Sequence, residues 1–267
     1  MIPVLATVWP EMDDASLARV LHRAADAVAD ELSSLEDWGP AGTRPGQYRS
    51  DIVADQAAVA VLREAGLDVF SEESGLHGGD RSLTVVLDPV DGSTNAARGL
   101  PWYATSLCAL DEAGPRAAVV VNQASGVRYQ AIRSRGATRD GQTVAPTACG
   151  SLASAIIGLN GYPARHLGWH QFRAMGAAAL DLCAVADGEL DAYLDCTGTL
   201  ASWDYLGGWL VCAESGASVV ELGDDLLEEI HGAGARPIRP RPLAAATPEL
   251  LAQTWRSLLQ PGAGTGQ

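Results

Sequence analysis

Three acidic clusters in the chain carry side chains able to do chemistry: Ser71-Glu72-Glu73-Ser74-Gly75, Leu87-Asp88-Pro89-Val90-Asp91-Gly92-Ser93-Thr94-Asn95 and Trp203-Asp204-Tyr205-Leu206-Gly207-Gly208. The second is the most informative. Val85, Val86 and Leu87 read as a buried strand, with Asp88 at its end pointing out of the sheet. Pro89 stiffens the turn and has no N–H to donate. Asp91 returns a second carboxylate to the same side, and Gly92 lets the backbone approach a ligand closely. Ser93 and Thr94 resemble a helix entry, where backbone N–H groups without an intrahelical partner bind phosphate. One short loop thus offers two hard carboxylate ligands, a carbonyl and a phosphate cradle. That set suits Mg²⁺, which favours carboxylates, water and substrate phosphate. Each cluster alone also has a plainer reading: a capped turn for the loop, a helix-dipole partner for Asp204, and solvated loop acids for Glu72 and Glu73.

Composition bounds the rest. Lys plus Arg number 18 and Asp plus Glu 33, a formal net charge of −15. Such a surface repels nucleic acid and anionic membrane. It repels a small anionic substrate too, unless a cation reverses the sign locally. Hydrophobic residues make up 47% and charged residues 19%, which excludes a disordered chain. No apolar run reaches the ~18 residues of a membrane span, and the first ten residues hold no basic residue, unlike a signal peptide. A cytoplasmic protein is the expectation. Cys108, Cys149, Cys183, Cys196 and Cys212 show no CxxC or metal-type spacing and read as reduced structural thiols. His166 and His170 are four apart, a spacing that binds Zn²⁺ on a helix, but Gly168 intervenes and the Glu of HExxH is missing. No GxxxxGK[ST], GxGxxG or GxSxG motif occurs.

The elements that must position the acids are legible from periodicity. Asp13 and Asp14 open a helix with Leu17, Val20, Leu21, Ala24, Val28, Leu32 and Leu35 on one face, expected to end near Gly39-Pro40. A Gly-, Pro- and Arg-rich loop spans 39–49. A second helix, capped by Ser50 or Asp51, runs to Ala65 and stops at Gly66. Strands are expected over 67–70, 83–87, 105–110, 117–121 and 127–132, the later ones in an antiparallel sheet. Beyond about residue 146 strands and helices alternate: strand 155–159, helix 177–187, strand 192–194, helix 203–215 and strand 217–221, an α/β half. Thr247 caps a last helix with Pro248 in its first turn. The expected division is an α+β half over 1–145, an α/β half over 146–260 and a frayed tail over 261–267.

Taken in order, EES, DPVDGSTN and WDYLGG resemble the inositol monophosphatase family of Mg²⁺-dependent phosphatases, whose patterns read roughly EE[ST], DP[IL]DGT-x-N-F and WD-x-A-[AG]-G. Gly99-Leu100-Pro101 and Arg173-x-x-Gly176-Ala177-Ala178-Ala179-Leu180-Asp181-Leu182 are similar to family segments as well. The resemblance covers about residues 14 to 222. It implies a layered αβαβα fold and hydrolysis of a small phosphate monoester, with two or three Mg²⁺ ions holding the phosphate and activating a water. Glu72, Asp88, the Val90 carbonyl, Asp91 and Asp204 match metal ligands, with Asp88 bridging two ions. Ser93 stands where a family Thr orients the attacking water, and Asp55 matches an Asp supporting that water or a third ion. Gly92 and Ser93 match phosphate-binding N–H donors. Gly176, Ala177 and Asp195 fall where the family contacts the alcohol portion of the substrate, which Asp91 and Asp204 also border.

Departures from the pattern fall mainly on the substrate side. The Thr before Asp55 is missing, Ala96 replaces Phe, Ala177 replaces a hydroxyl residue, and Asp195 stands where Glu is common. The stretch from Asp195 to Trp203 is about two residues longer than usual. Inositol monophosphate is the first substrate expected. Histidinol phosphate, another sugar or polyol phosphate, and a nucleotide 3′-phosphate are the alternatives. With Asp195 as the polar wall, monophosphates of neutral or cationic alcohols are expected over bisphosphates. A phosphatase-like protein that binds metal or ligand without turnover is the reading from another class. Homodimers are common among the family's members.

Overall fold

The computed structural model describes residues 12–79, 82–223, 226 and 241–259. The first helix, α1 (Asp14–Ser34), is capped by the Asp13 carboxylate, which accepts from Ser16 N–H at 2.7 Å. Its apolar face is buried as the spacing requires. It ends before Gly39, because Leu35 turns extended and its carbonyl accepts from Trp38 Nε1. The second helix, α2 (Arg49–Glu64), starts earlier than expected: Tyr48 is the cap residue, and Asp51 in the first turn accepts from Tyr48 N–H at 2.8 Å.

Eight strands form the first sheet: β1 (Asp68–Ser71), β2 (Gly75–His77), β3 (Thr84–Asp91), β4 (Ala104–Asp111), β5 (Gly114–Asn122), β6 (Arg128–Ile132), β7 (Gly136–Arg139) and β8 (Gln142–Thr143), in the order β2-β1-β3-β4-β5-β6-β7-β8. All pairs are antiparallel except β1 with β3. The edge strands β2 and β8, and β7 next to β8, are short and lack the apolar runs that announce the central ones. In the centre, side chains alternate faces. Val85, Leu87, Leu107, Ala109, Val119 and Val121 pack with α1 and α2, while Val86, Cys108, Leu110, Ala118 and Val120 face the opposite core. Both faces are covered, so β3, β4 and β5 read as nearly continuous apolar runs.

That opposite core is built on α4 (Ala178–Ala186) and α5 (Ser202–Ser215), which lie between the first sheet and a second one. The second sheet has the order β10-β9-β11-β13-β12, with β9 (Ile156–Asn160), β10 (Gln171–Arg173), β11 (Ala192–Asp195), β12 (Ser218–Val219) and β13 (Arg241–Ala245). The strand expected over 217–221 is thus cut to two residues. A last helix, α6 (Pro248–Leu259), covers the outer face through Leu250, and Thr247 Oγ1 caps it by accepting from Leu250 N–H. The layers run α1/α2, sheet, α4/α5, sheet, α6. The expected tail lies outside the described residues, as do residues 1–11. Among the described residues no helix is long and apolar enough to cross a membrane.

Candidate active site

The geometry of the central loop rests on a strand irregularity. β3 does not stop at Leu87 but continues through Asp91. Residues three apart on a regular strand point to opposite faces, so Asp88 and Asp91 should diverge. They do not, because Asp88 pairs with Ser106 while Asp91 pairs with Ala104, a register shift that inserts one extra residue. The bulge restores parity and brings both carboxylates to one side. Gly92 then takes φ +85°, and a Cβ there would lie 3.0 Å from the Trp102 carbonyl oxygen and 3.1 Å from that of Gly176. Only glycine fits. The short helix α3 (Ser93–Ala97) follows immediately. Asn95 pins it by donating from Nδ2 to the carbonyls of Trp102 at 2.8 Å and Met175 at 2.7 Å, and Trp102 Nε1 in turn donates to Asp181 at 2.8 Å.

Asp204 joins the pair from the first turn of α5. One ligand atom from each of Asp88, Asp91 and Asp204 lies within 4.8 Å of the others. Backbone N–H groups orient each carboxylate: Val90 donates to Asp88 at 3.0 Å, Ala179 at the start of α4 to Asp91 at 2.7 Å, and Ala201 to Asp204 at 2.6 Å. Glu72 lies outside this trio, near enough for its charge to act on Asp88. Its pKa is pushed up to about 8, first by burial and then by the charges of Asp204, Glu73 and Asp51. Burial, then Glu72, Asp91, Asp204 and Asp51, push Asp88 well above the usual carboxylate range. Burial and Asp204 do the same to Asp91. Asp204 itself is pushed up to about 6 by burial, with Asp195 adding to the shift. The cluster is all carboxylate oxygen and electrostatically unsatisfied without a cation, and such a hard donor set suits Mg²⁺.

A cavity of about 360 Å³ opens beside it, bordered by Asp51, Glu72, Glu73, Ser93 and Trp203. Asp55 is buried on α2 and accepts from Ser71 Oγ, one strand residue before Glu72. Gly176 and Ala177 lead into α4 against the Gly92 turn. Asp195 differs from the other acids in its hydrogen bonding. It is buried, and its oxygens accept from Thr197 N–H, Thr197 Oγ1, both contacts of Gly198 N–H, and Asn160 Nδ2 at 2.8–3.2 Å. The longer loop before Trp203 folds onto this carboxylate. His166 and His170 are not on a helix. His166 Nδ1 accepts from Gly168 N–H, and His170 Nε2 contacts Gln171. All five cysteines are free. Asp51, read from sequence as a possible cap, borders the cavity as well, its pKa pushed up to about 6 chiefly by burial. Arg44 and Gln47, from the loop between α1 and α2, also line it and were not singled out by any motif.

The profile of the inositol monophosphatase family matches residues 47–260. The chain belongs to the inositol monophosphatase family. It is 33% identical over 228 residues to the fructose-1,6-bisphosphatase/inositol-1-monophosphatase of Archaeoglobus fulgidus, covering 81% of this chain and 88% of that protein. To the inositol-1-monophosphatase of Rhizobium meliloti it is 28% identical, covering 85% of this chain and 96% of that one. Among solved structures, the inositol monophosphatase of Anabaena superposes with a TM-score of 0.74 at 21% identity, covering 92% of this chain and 96% of that chain. The αβαβα layering is therefore the inositol monophosphatase fold, and membership supports a phosphatase.

Proposed function

We propose that this inositol monophosphatase family protein hydrolyses small phosphate monoesters with Mg²⁺, inositol monophosphate or a related polyol or sugar phosphate being the first class to test. The observation that carries the reading is the convergence of Asp88, Asp91 and Asp204 from two distant parts of the chain, each oriented by a backbone N–H. Glu72, Asp88, the Val90 carbonyl, Asp91 and Asp204 would hold the metal. The chemistry such an ion would supply is positive charge toward the phosphate and the leaving alkoxide and a more acidic bound water.

The chain's own groups do the rest. The N–H groups of Gly92 and Ser93 face the phosphate, in a turn whose approach is possible only because residue 92 has no Cβ. The Ser93 hydroxyl orients the attacking water, and Asp55, through Ser71, steadies the segment that carries Glu72. Gly176 and Ala177 border the alcohol. The test is phosphate release from a panel of monoesters with Mg²⁺ and with EDTA. Turnover abolished by EDTA and restored by Mg²⁺ is expected. Absence of turnover on every ester would favour a binding protein without catalysis.

A further inference from the structure

The cavity beside the acidic cluster is also lined by a cation. Among the described residues that border it, Arg44 is the one with a positive charge. The loop that carries it is held at its base by a Pro40–Tyr48 bridge and by hydrogen bonds from Ala41 N–H to the Gln47 carbonyl and from Arg49 N–H to the Gly39 carbonyl. Its tip delivers Arg44 Nη2 to Glu73 Oε2 at 2.6 Å, and Gln47 Nε2 donates to the same oxygen. The Glu73 side chain is 6% exposed and that of Arg44 45% exposed. Glu73 is therefore a buried anchor, and the guanidinium it holds stands at the mouth. A guanidinium has five N–H donors in a planar fork, and Glu73 takes one nitrogen.

We propose that Arg44 is a specificity-determining residue of the site described above, and that its remaining N–H edge binds a second phosphate on the substrate. This inference rests on the phosphatase reading. It reverses the preference expected from Asp195, whose carboxylate is engaged by its own loop and by Asn160 rather than by the cavity. Guanidinium matches a phosphate dianion with two parallel hydrogen bonds, whereas a neutral alcohol offers it only one acceptor at a time. Gln47 remains on Glu73 throughout, so the anchor stays paired while Arg44 engages the ligand.

The probes are D-fructose 1,6-bisphosphate and D-fructose 1-phosphate, which differ by the second phosphate alone. Steady-state kcat/KM with Mg²⁺, and calorimetric Kd with Ca²⁺ in its place, are measured for wild type, Arg44→Met and Arg44→Lys. Wild type should prefer the bisphosphate by about tenfold or more, and Arg44→Met should reduce the ratio of the two esters' constants to about threefold or less, any common change through the neighbouring Glu72 cancelling in that ratio. Arg44→Lys, which keeps charge without the fork, should fall between them and carries the test if the Met variant does not fold. Added KCl should erode the preference in wild type and not in Arg44→Met, because the contact is half exposed. Equal losses on both esters, or no wild-type preference, would overturn the assignment. Selective binding without turnover of either ester would instead refute the phosphatase reading and leave Arg44 standing.

Discussion

Asp88→Asn should separate two energies that the wild-type site combines. Asp88, Asp91 and Asp204 offer atoms within 4.8 Å of one another. At an effective dielectric of about 20, two full charges that far apart repel by about 3.5 kcal/mol. Burial first, and the neighbouring charges after it, hold Asp88 and Asp91 above their ordinary range, so protonation relieves part of that repulsion. Removing one charge should therefore stabilise the metal-free protein by about 1–3 kcal/mol at pH 8, a rise in Tm of roughly 2–5 °C. Asn keeps the shape, and its Oδ1 can still accept from Val90 N–H, which reaches Asp88 at 3.0 Å. The same change should weaken Mg²⁺ binding, so the Mg²⁺-induced rise in Tm shrinks as mass action requires. Turnover should fall by more than about tenfold, a loss above about 1.4 kcal/mol. Scanning calorimetry in EDTA and in Mg²⁺, beside phosphate release, reads all three. A lower Tm in EDTA with an unchanged Mg²⁺ response would show that Asp88 serves the fold and refute the argument.

The metal-free protein should also lose stability as pH rises. Glu72 and Asp204 are raised in the folded state to about 8 and about 6, so the folded form holds more protons than the unfolded one. The relative stability is present below about pH 4 and is lost as pH rises through those values; Tm in EDTA should fall from pH 5 to 8.5, and Mg²⁺ should flatten the slope. Gly92→Ala should cost about 1–3 kcal/mol from the left-handed backbone alone and abolish most turnover, because its Cβ would meet two carbonyl oxygens; thermal melts and phosphate release check this, and near-wild-type activity would contradict the close-approach argument. Asp195→Ala should destabilise by about 2–4 kcal/mol, since it strips the acceptor from several donors. Its kcat/KM should drop by one factor on inositol phosphate and on an aryl phosphate alike, and a loss confined to the hydroxyl-rich ester would return Asp195 to the substrate wall.

What was readable in the chain was what depends on near neighbours. The spacing of Leu17, Leu21, Ala24 and Val28 determines a one-sided helix wherever it packs. The run Val85-Val86-Leu87 determines a strand buried on both faces, and the types Glu72, Asp88, Asp91 and Asp204 determine hard, anionic oxygen chemistry. Gly92 between Asp91 and Ser93 already marks a turn with no room for a side chain. Only the tertiary structure decided how these combine. The register of β3 against β4 inserts the residue that turns Asp88 and Asp91 to one side, and no local pattern carries a strand's partner or its offset. Packing of α5 against the first sheet brings Asp204 to a pair more than a hundred residues away. The hydrogen bonds of Asp195 to its own loop and the tie of Arg44 to Glu73 arise for the same reason. A carboxylate's availability depends on which N–H groups its own loop folds onto it, and a loop arginine's role depends on which distant acid anchors it. Those are properties of distance through space, and sequence spacing does not encode them.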